Sequence, residues 1–199
     1  AKESVSMHGE FVHRFDQVLN WTPRLIARHL ALSGLSAFRQ LTGAQQAALD
    51  RPRVHFLYLH HVFEDEEGNF RAMLDDLSQT HTLISYTDAV ERVRQGEIDK
   101  PYIAFSFDDG LKTCLRAGEI LAEHDASACF FVCPPMAEET RFEVIRDFCR
   151  DQLAMPPTEF LNWQEIEELV RLGHEIGSHT MSHPRLSEIA GDVLRSELE

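Results

Sequence analysis

Two short stretches hold the residues whose types and spacing could do chemistry: Ser106-Phe107-Asp108-Asp109-Gly110 and Ser178-His179-Thr180-Met181-Ser182-His183-Pro184. Together they supply two adjacent carboxylates and two imidazoles four residues apart, each set following a run with strand character. One carboxylate and two neutral imidazoles make a three-ligand set for a divalent ion such as Zn²⁺. Such a set leaves positions open for water and substrate, as hydrolytic metals require. The other carboxylate is then free to accept a proton from that water. Taken singly, each stretch says little. Asp-Asp-Gly is ordinary turn chemistry, and His-x-x-x-His recurs by accident in a chain with 11 histidines. The combination is sharper because both stretches sit where a strand ends and a loop begins, the place where α/β proteins put their chemistry.

The two stretches resemble the first two signature motifs of the polysaccharide deacetylase family, the NodB-homology carbohydrate esterases. The first of those motifs reads Thr/Ser-Phe-Asp-Asp-Gly and the second His-Ser/Thr-x-x-His, often followed by Pro; Ser106 to Gly110 and His179 to His183 fit both without a mismatch. Ala128-Cys129-Phe130-Phe131-Val132 is similar to the family's second core strand. Trp163 with Gly173-His174-Glu175-Ile176-Gly177-Ser178 is similar to the helix and strand that lead into the histidines. Leu59-His60-His61-Val62 is similar to the Tyr-His opening of members acting on exopolysaccharide. The resemblance covers Val54 to Leu186.

It implies that Asp109, His179 and His183 bind a divalent metal, zinc first with cobalt, nickel or iron as alternatives, and that Asp108 is the catalytic base. His60, at the end of the first strand, is a candidate for lining the same rim. The implied activity is that of a hydrolase: removal of acetyl groups from N-acetylated amino sugars of a poly- or oligosaccharide. Two alternatives stay open: an amidohydrolase acting on a small N-acyl substrate, and a non-catalytic glycan-binding module that keeps the metal site. Local physics agrees with the division of roles. Successive side chains of a strand face opposite ways, which separates the two aspartates. Pro184 disfavours helical φ/ψ at His183, so the two histidines should converge through a tight turn. Pro184 itself suits the first position of a following helix. The family's three later motifs, an Arg-x-Pro-Tyr-like segment, an Asp-Trp segment and a Leu-x-His segment that carries the general acid, do not follow His183. The stretch from Pro184 to Glu199 reads as a helix cut short, which puts the activity of this exact polypeptide in question.

The elements that must position these residues follow from periodicity. Strands are expected at Val54 to His60, Thr82 to Ser85, Tyr102 to Phe107, Ala128 to Val132 and His174 to Ser178. Helices are expected around Phe70 to Leu77, from a Thr87 cap through Arg94, over Lys112 to His124, around Phe142 to Cys149, and from an Asn162-Trp163-Gln164-Glu165 capping box. Strand and helix alternating in this way make a mainly parallel sheet. By the resemblance, the fold class is α/β, an incomplete and distorted (β/α) barrel of the polysaccharide deacetylase type. Residues 1–50 read as a helical N-terminal extension, with Phe11 to Leu19 and Leu25 to Leu41 at helical spacing and Gly34 and Gly43 as punctuation. Residues 51–199 read as the deacetylase-like domain without its C-terminal part. The excursion from Cys133 to Leu161 leaves a strand end beside the expected metal and could wall a substrate groove.

Composition narrows the partners. The chain has 199 residues, 43% of them apolar, enough for one sizeable core. Its 19 basic and 33 acidic residues leave a formal charge of -14, which argues against nucleic acid and anionic surfaces and suits an acetylated glycan whose product is an amine. No apolar run approaches the ~20 residues of a membrane span. With Ala1 first and no signal peptide, the chain as given favours the cytoplasm, or an extracytoplasmic place if a signal has been removed. Cys129 and Cys133 lie about 13 Å apart on an extended strand, too far for a disulfide. A sheet edge left open by truncation invites pairing with a second copy, so a homodimer is expected.

Overall fold

The longest buried apolar run forms the strand at the centre of the sheet, where both faces are covered. The computed structural model describes residues 11–19, 22–43 and 50–198. It contains β1 (Arg53–Leu59), β2 (Thr82–Leu83), β3 (Pro101–Phe107), β4 (Ala128–Val132) and β5 (Glu175–Ser178), all parallel in a five-stranded sheet. β3, buried at every residue but its first, pairs with β1 from Arg53↔Pro101 to Leu59↔Phe107. It also pairs with β2 at Tyr102 and Ile103, and with β4 from Phe105↔Ala128 to Phe107↔Phe130. β4 pairs with β5 from Cys129↔Glu175 to Val132↔Ser178. Because every pairing is parallel, the C-terminal ends of β1, β3, β4 and β5 share one rim.

Parallel neighbours need crossovers, and helices supply them. The helices are α1 (Pro23–Leu41), α2 (Glu67–Ser78), α3 (Tyr86–Gln95), α4 (Thr113–Glu123), α5 (Phe142–Asp151), α6 (Trp163–Arg171) and α7 (Gly191–Leu198). The core lies between the sheet face that carries Ile103, Phe105, Phe107, Ala128, Phe130 and Val132 and the apolar stripes of the helices, with Leu74 from α2, Ile120 and Leu121 from α4 and Leu169 from α6. The Phe107 and Phe130 rings stack at 4.9 Å, and Phe70 meets both Phe105 and Phe107 edge-on. His174 is a satisfied core histidine. Its Nδ1 accepts from the Ala128 N–H at 3.1 Å, and its Nε2 lies 2.9 Å from the Gly118 carbonyl, which requires the Nε2–H tautomer.

The α/β class and the parallel sheet agree with the sequence reading, and the Asn162 capping box forms as expected. The Asn162 side chain accepts from the Glu165 N–H, and Glu165 accepts from the Asn162 N–H, each at 2.9 Å. Over the described residues the sheet is open, with β1 and β5 at its ends. Other expectations need correction. Ser85, not Thr87, caps α3, accepting from the Asp88 N–H at 3.1 Å, and this shortens β2 to two residues. Pro184 starts no helix. A 3-10 turn (Leu186–Glu188) follows it, and α7 begins only at Gly191, whose φ of 60° breaks the continuous helix expected after Pro184.

Part of the expected extension over residues 1–50, namely 1–10, 20–21 and 44–49, lies outside the described residues. Within it, α1 runs unbroken through Gly34, because one glycine costs a 19-residue helix only about 1 kcal/mol. It holds most of its apolar side chains in solvent, with Leu30 67% and Leu41 89% exposed. Helical spacing over Phe11 to Leu19 yields only a 3-10 turn (Phe15–Gln17), because tertiary bonds claim the backbone. Asp65 accepts from the Phe15 and Asp16 N–H groups, the Val12 N–H donates to the Pro157 carbonyl, and the Glu64 N–H donates to the His13 carbonyl.

Candidate metal centre

The rim above β3 is where the two carboxylates part. The strand ends at Phe107, and the Asp108 N–H extends the ladder by donating to the Leu59 carbonyl at 2.9 Å. Asp109 and Gly110 then take φ of 73° and 72°, two consecutive left-handed residues that swing the chain over the top of the sheet. Strand alternation was expected to separate the aspartates. In fact the strand has already finished, and the left-handed turn does it, leaving Asp108 half-buried and Asp109 3% exposed. Asp tolerates that region through local hydrogen bonding, whereas Gly110 is needed outright, since a Cβ there would lie 3.1 Å from Val132 Cβ. The excursion between β4 and α6 returns across this turn. The Leu161 N–H donates to the Gly110 carbonyl and the Lys112 N–H to the Glu159 carbonyl, both at 2.8 Å. The excursion is thus fastened behind Asp109, with Ile145 and Cys149 of α5 in the core.

The imidazoles come from the neighbouring strand end. The His179 N–H donates to the Val132 carbonyl at 2.7 Å, one residue past β5. Thr180 and His183 adopt φ of 68° and 55°, and Thr180 Oγ1 accepts from the His183 N–H at 3.1 Å, closing a tight turn; Pro184 keeps His183 out of the right-handed helical region but does not by itself favour the left-handed one. Left-handed non-glycine residues cost of order 1–3 kcal/mol each and persist only where the surroundings enforce them. The turn brings the two rings edge to face at 5.0 Å.

The three side chains meet. His179 Nε2 lies 3.3 Å and His183 Nε2 3.2 Å from Asp109 Oδ1. One donor atom of each residue falls within 4.8 Å of the other two. Although close to both nitrogens, Oδ1 is buried and makes no hydrogen bond within ordinary geometric limits. A tetrahedral ion with ligands at about 2.0–2.1 Å requires donor atoms about 3.3 Å apart, so the spacing suits a shared cation better than a hydrogen bond. His60 stands at the end of β1, its Nε2 4.0 Å from Asp109 Oδ2, with about half of its side chain in solvent. His60 therefore faces the far oxygen of Asp109, outside the group of three. Asp108 sits within electrostatic reach of His179, His60, Asp109 and His183.

Charges are tuned accordingly. Burial raises the Asp108 carboxyl above the ordinary range, with the imidazoles pulling against it. Burial would also raise Asp109, but His179, His183 and His60 around it outweigh that, and its net direction is down. His179 is raised by contact with the Asp109 carboxylate. Behind the rim, the Cys114 thiol donates to the His60 carbonyl and the Cys133 thiol to the His179 carbonyl; burial holds Cys133 up at about 12, so both are inert thiols and not ligands.

His61 points away from the centre. Its ring stacks on Phe63 at 4.5 Å with Nδ1 3.2 Å from Thr113 Oγ1, and burial, reinforced by His60, lowers its pKa to about 4. The folded state thus binds fewer protons than the unfolded one, in which His titrates near 6.5. Stability is fully present above pH 6.5 and is lost as the pH falls toward 4. The loss assigned to His61 is up to about 3 kcal/mol. Urea unfolding at pH 7 and pH 4.5 should show a smaller acid loss in His61→Phe, which keeps the stack and removes the titration; an unchanged loss would remove His61 as its source.

The centre is open to solvent: the His179 and His183 side chains are 31% and 30% exposed. A cavity of about 340 Å³ lies elsewhere, lined by Lys112, Thr113, Arg116, Glu67 and Glu159, whose charges are paired with one another or with near neighbours. It holds none of the three converging residues. Thr180, whose hydroxyl closes the histidine turn, escaped the sequence reading; a threonine directly after the first histidine is a local capping signal that could have marked it.

A sequence model of the polysaccharide deacetylase family matches residues 95–199. A chitooligosaccharide deacetylase from Sinorhizobium fredii (strain NBRC 101917 / NGR234) is 31% identical over 115 residues, 56% of this chain and 43% of that protein. Among solved structures, IcaB from Ammonifex degensii aligns over 66% of this chain and 54% of its own, with a TM-score of 0.53 and 20% identity. The Streptococcus pyogenes deacetylase PplD, solved with acetate, aligns over 74% of this chain and 66% of its own, with a TM-score of 0.52 and 19% identity. At such identities the two structures speak for the fold. The chain covers less than half the length of this curated relative.

Proposed function

Since the chain belongs to the polysaccharide deacetylase family, we propose that it is a metal-dependent hydrolase that removes acetyl groups from the N-acetylated amino sugars of a poly- or oligosaccharide. In this reading residues 51–199 carry the chemistry, and Asp109, His179 and His183 hold a divalent ion, zinc for preference. The observation that carries the reading is the convergence of the two Nε2 atoms on Asp109 Oδ1 at 3.2 and 3.3 Å, with that oxygen buried and lacking any hydrogen bond. A divalent ion bound there supplies Lewis acidity toward an acyl carbonyl and lowers the pKa of water.

The chain's own residues do the rest. Asp108 sits beside the three ligands and is not one of them, and a carboxyl raised by burial is a stronger base than an exposed one. It would accept the proton released as water adds to the amide carbon, and as the C–N bond breaks a proton returns to the nitrogen, so that acetate and the sugar amine leave. Asp109, held down by its imidazoles, stays ionised and ligating. Each ligating imidazole uses Nε2, so its Nδ1 carries the proton. The turn from Thr180 to His183 and the braced Gly110 loop hold the donors in place before substrate arrives, which is how a hydrolytic site avoids reorganisation during reaction. The open rim suits a chain substrate that lies across it better than a small molecule that must be enclosed, and this favours the glycan over a small N-acyl compound. The acidic balance of the protein also tolerates the amine that deacetylation uncovers.

Acetate release from N-acetylglucosamine oligomers, measured after chelation and again after zinc or cobalt is restored, tests the proposal. Release that disappears with the metal and returns with it is the expected result. Metal binding and oligomer binding with no acetate formed would replace it with the binding-module reading.

A further inference from the structure

The turn that joins the two histidines is gripped from outside. Glu197, in the last turn of α7, reaches back 16 residues to Met181. Its Oε2 accepts from the Met181 N–H at 3.0 Å and the Ser182 N–H at 2.8 Å, and its Oε1 accepts from the Ser182 hydroxyl at 2.6 Å. Three donors from two consecutive residues thus converge on one carboxylate, at the apex of a turn whose flanking Thr180 and His183 both occupy the left-handed region.

Two features make this more than a surface contact. A negative charge in the last turn of a helix opposes the helix dipole, so α7 by itself disfavours Glu197 there, and the turn's three donors offset that cost. In addition, the Met181 and Ser182 N–H groups can meet one carboxylate only while the backbone keeps its tight bend, and that same bend sets the separation of the His179 and His183 rings. The contact and the ring geometry are one conformational variable.

We propose that Glu197 is a positioning residue of the metal centre, its carboxylate clasping Met181 and Ser182 so that His179 and His183 are held converged on Asp109. The inference rests on reading those three residues as metal ligands, and it assigns a task to α7 that lies outside the ligand set. Partners that orient ligands from beyond the first sphere typically change metal affinity by about 10–100-fold when removed.

The test compares the wild-type chain with Glu197→Ala, Glu197→Gln and a control, Glu188→Gln, whose parent residue pairs with Arg185 at 3.3 Å on the same segment. Cobalt titrations followed by visible absorption should show affinity about 10–100-fold weaker in Glu197→Ala, an intermediate loss in Glu197→Gln, and no loss in the control. Melting of the metal-free chain should stay near wild type. Without metal, the Met181 and Ser182 amides should exchange faster in Glu197→Ala. Wild-type cobalt affinity in Glu197→Ala, or unchanged exchange at both amides, overturns the proposal. If Glu197→Ala does not fold, Glu197→Gln, which preserves shape, decides by the same two readouts. A wild-type chain that binds no cobalt defeats the metal reading, while the amide exchange still reports on the clasp by itself.

Discussion

Asp108→Asn should lower the rate of acetate release by about 10²–10⁴-fold while leaving metal content intact, the signature of a lost general base in an otherwise assembled site. The expected loss corresponds to about 3–5 kcal/mol of barrier. Asn matches Asp in shape and can keep the backbone bond from the residue 108 N–H to the Leu59 carbonyl, so the rim does not have to move. What disappears is a basic oxygen beside the three ligands. The raised carboxyl also sets a sign for the pH profile. Burial raises this carboxyl and a bound cation pulls it down, and in either case turnover drops on the acid side as the base protonates. Metal analysis together with steady-state rates decides the matter. A variant that keeps more than a tenth of the wild-type rate with its metal in place would transfer the base to another group.

The second large effect is expected at Asp109, the point on which both imidazoles converge. Asp109→Asn should weaken zinc or cobalt binding by more than 100-fold, beyond the range of a group that acts through another ligand. Asn is the apt replacement because it accepts a φ of 73° as readily as Asp, whereas Ala would add backbone strain to the lost ligand. On the proposed ligand set, protons should compete with metal. In the metal-free protein the Asp109 carboxylate raises His179, so binding must expel a proton at any pH below that raised value, and affinity climbs with pH until His179 is neutral. In Asp109→Asn the raising charge is gone, and the plateau should be reached at a lower pH as well as at a lower affinity. Titrations across pH 5.5 to 8 separate the two consequences. Removing the carboxylate also removes the pairing with His179 and His183 that holds it ionised, so a lowered melting temperature of the metal-free chain is expected beside the lost metal.

Much of the fold is legible in the sequence alone. The strand runs at Tyr102 to Phe107 and Ala128 to Val132 announce themselves because burial on both faces demands uninterrupted apolar residues, and the Asn162 capping box because its reciprocal bonds span only four positions. The two aspartates and two histidines stood out because carboxylates and imidazoles grouped at two strand ends are the residue types that metal binding and proton transfer use. Other matters depend on contacts between segments far apart in the chain. Phe11 to Leu19 has helical spacing, yet bonds to Asp65, Pro157 and Glu64 override it. The separation of Asp108 from Asp109 comes from a left-handed turn pinned by Leu161 and Lys112, which strand periodicity does not encode. The grip of Glu197 on the histidine turn is likewise invisible in a pattern, since nothing local pairs residue 197 with residues 181 and 182. Sequence by itself determined which atoms are available and which elements carry them, because propensity and burial act over a few neighbouring residues. Only the tertiary structure decided how those atoms are aimed, because aim is set by the packing and hydrogen bonding of distant loops against one another.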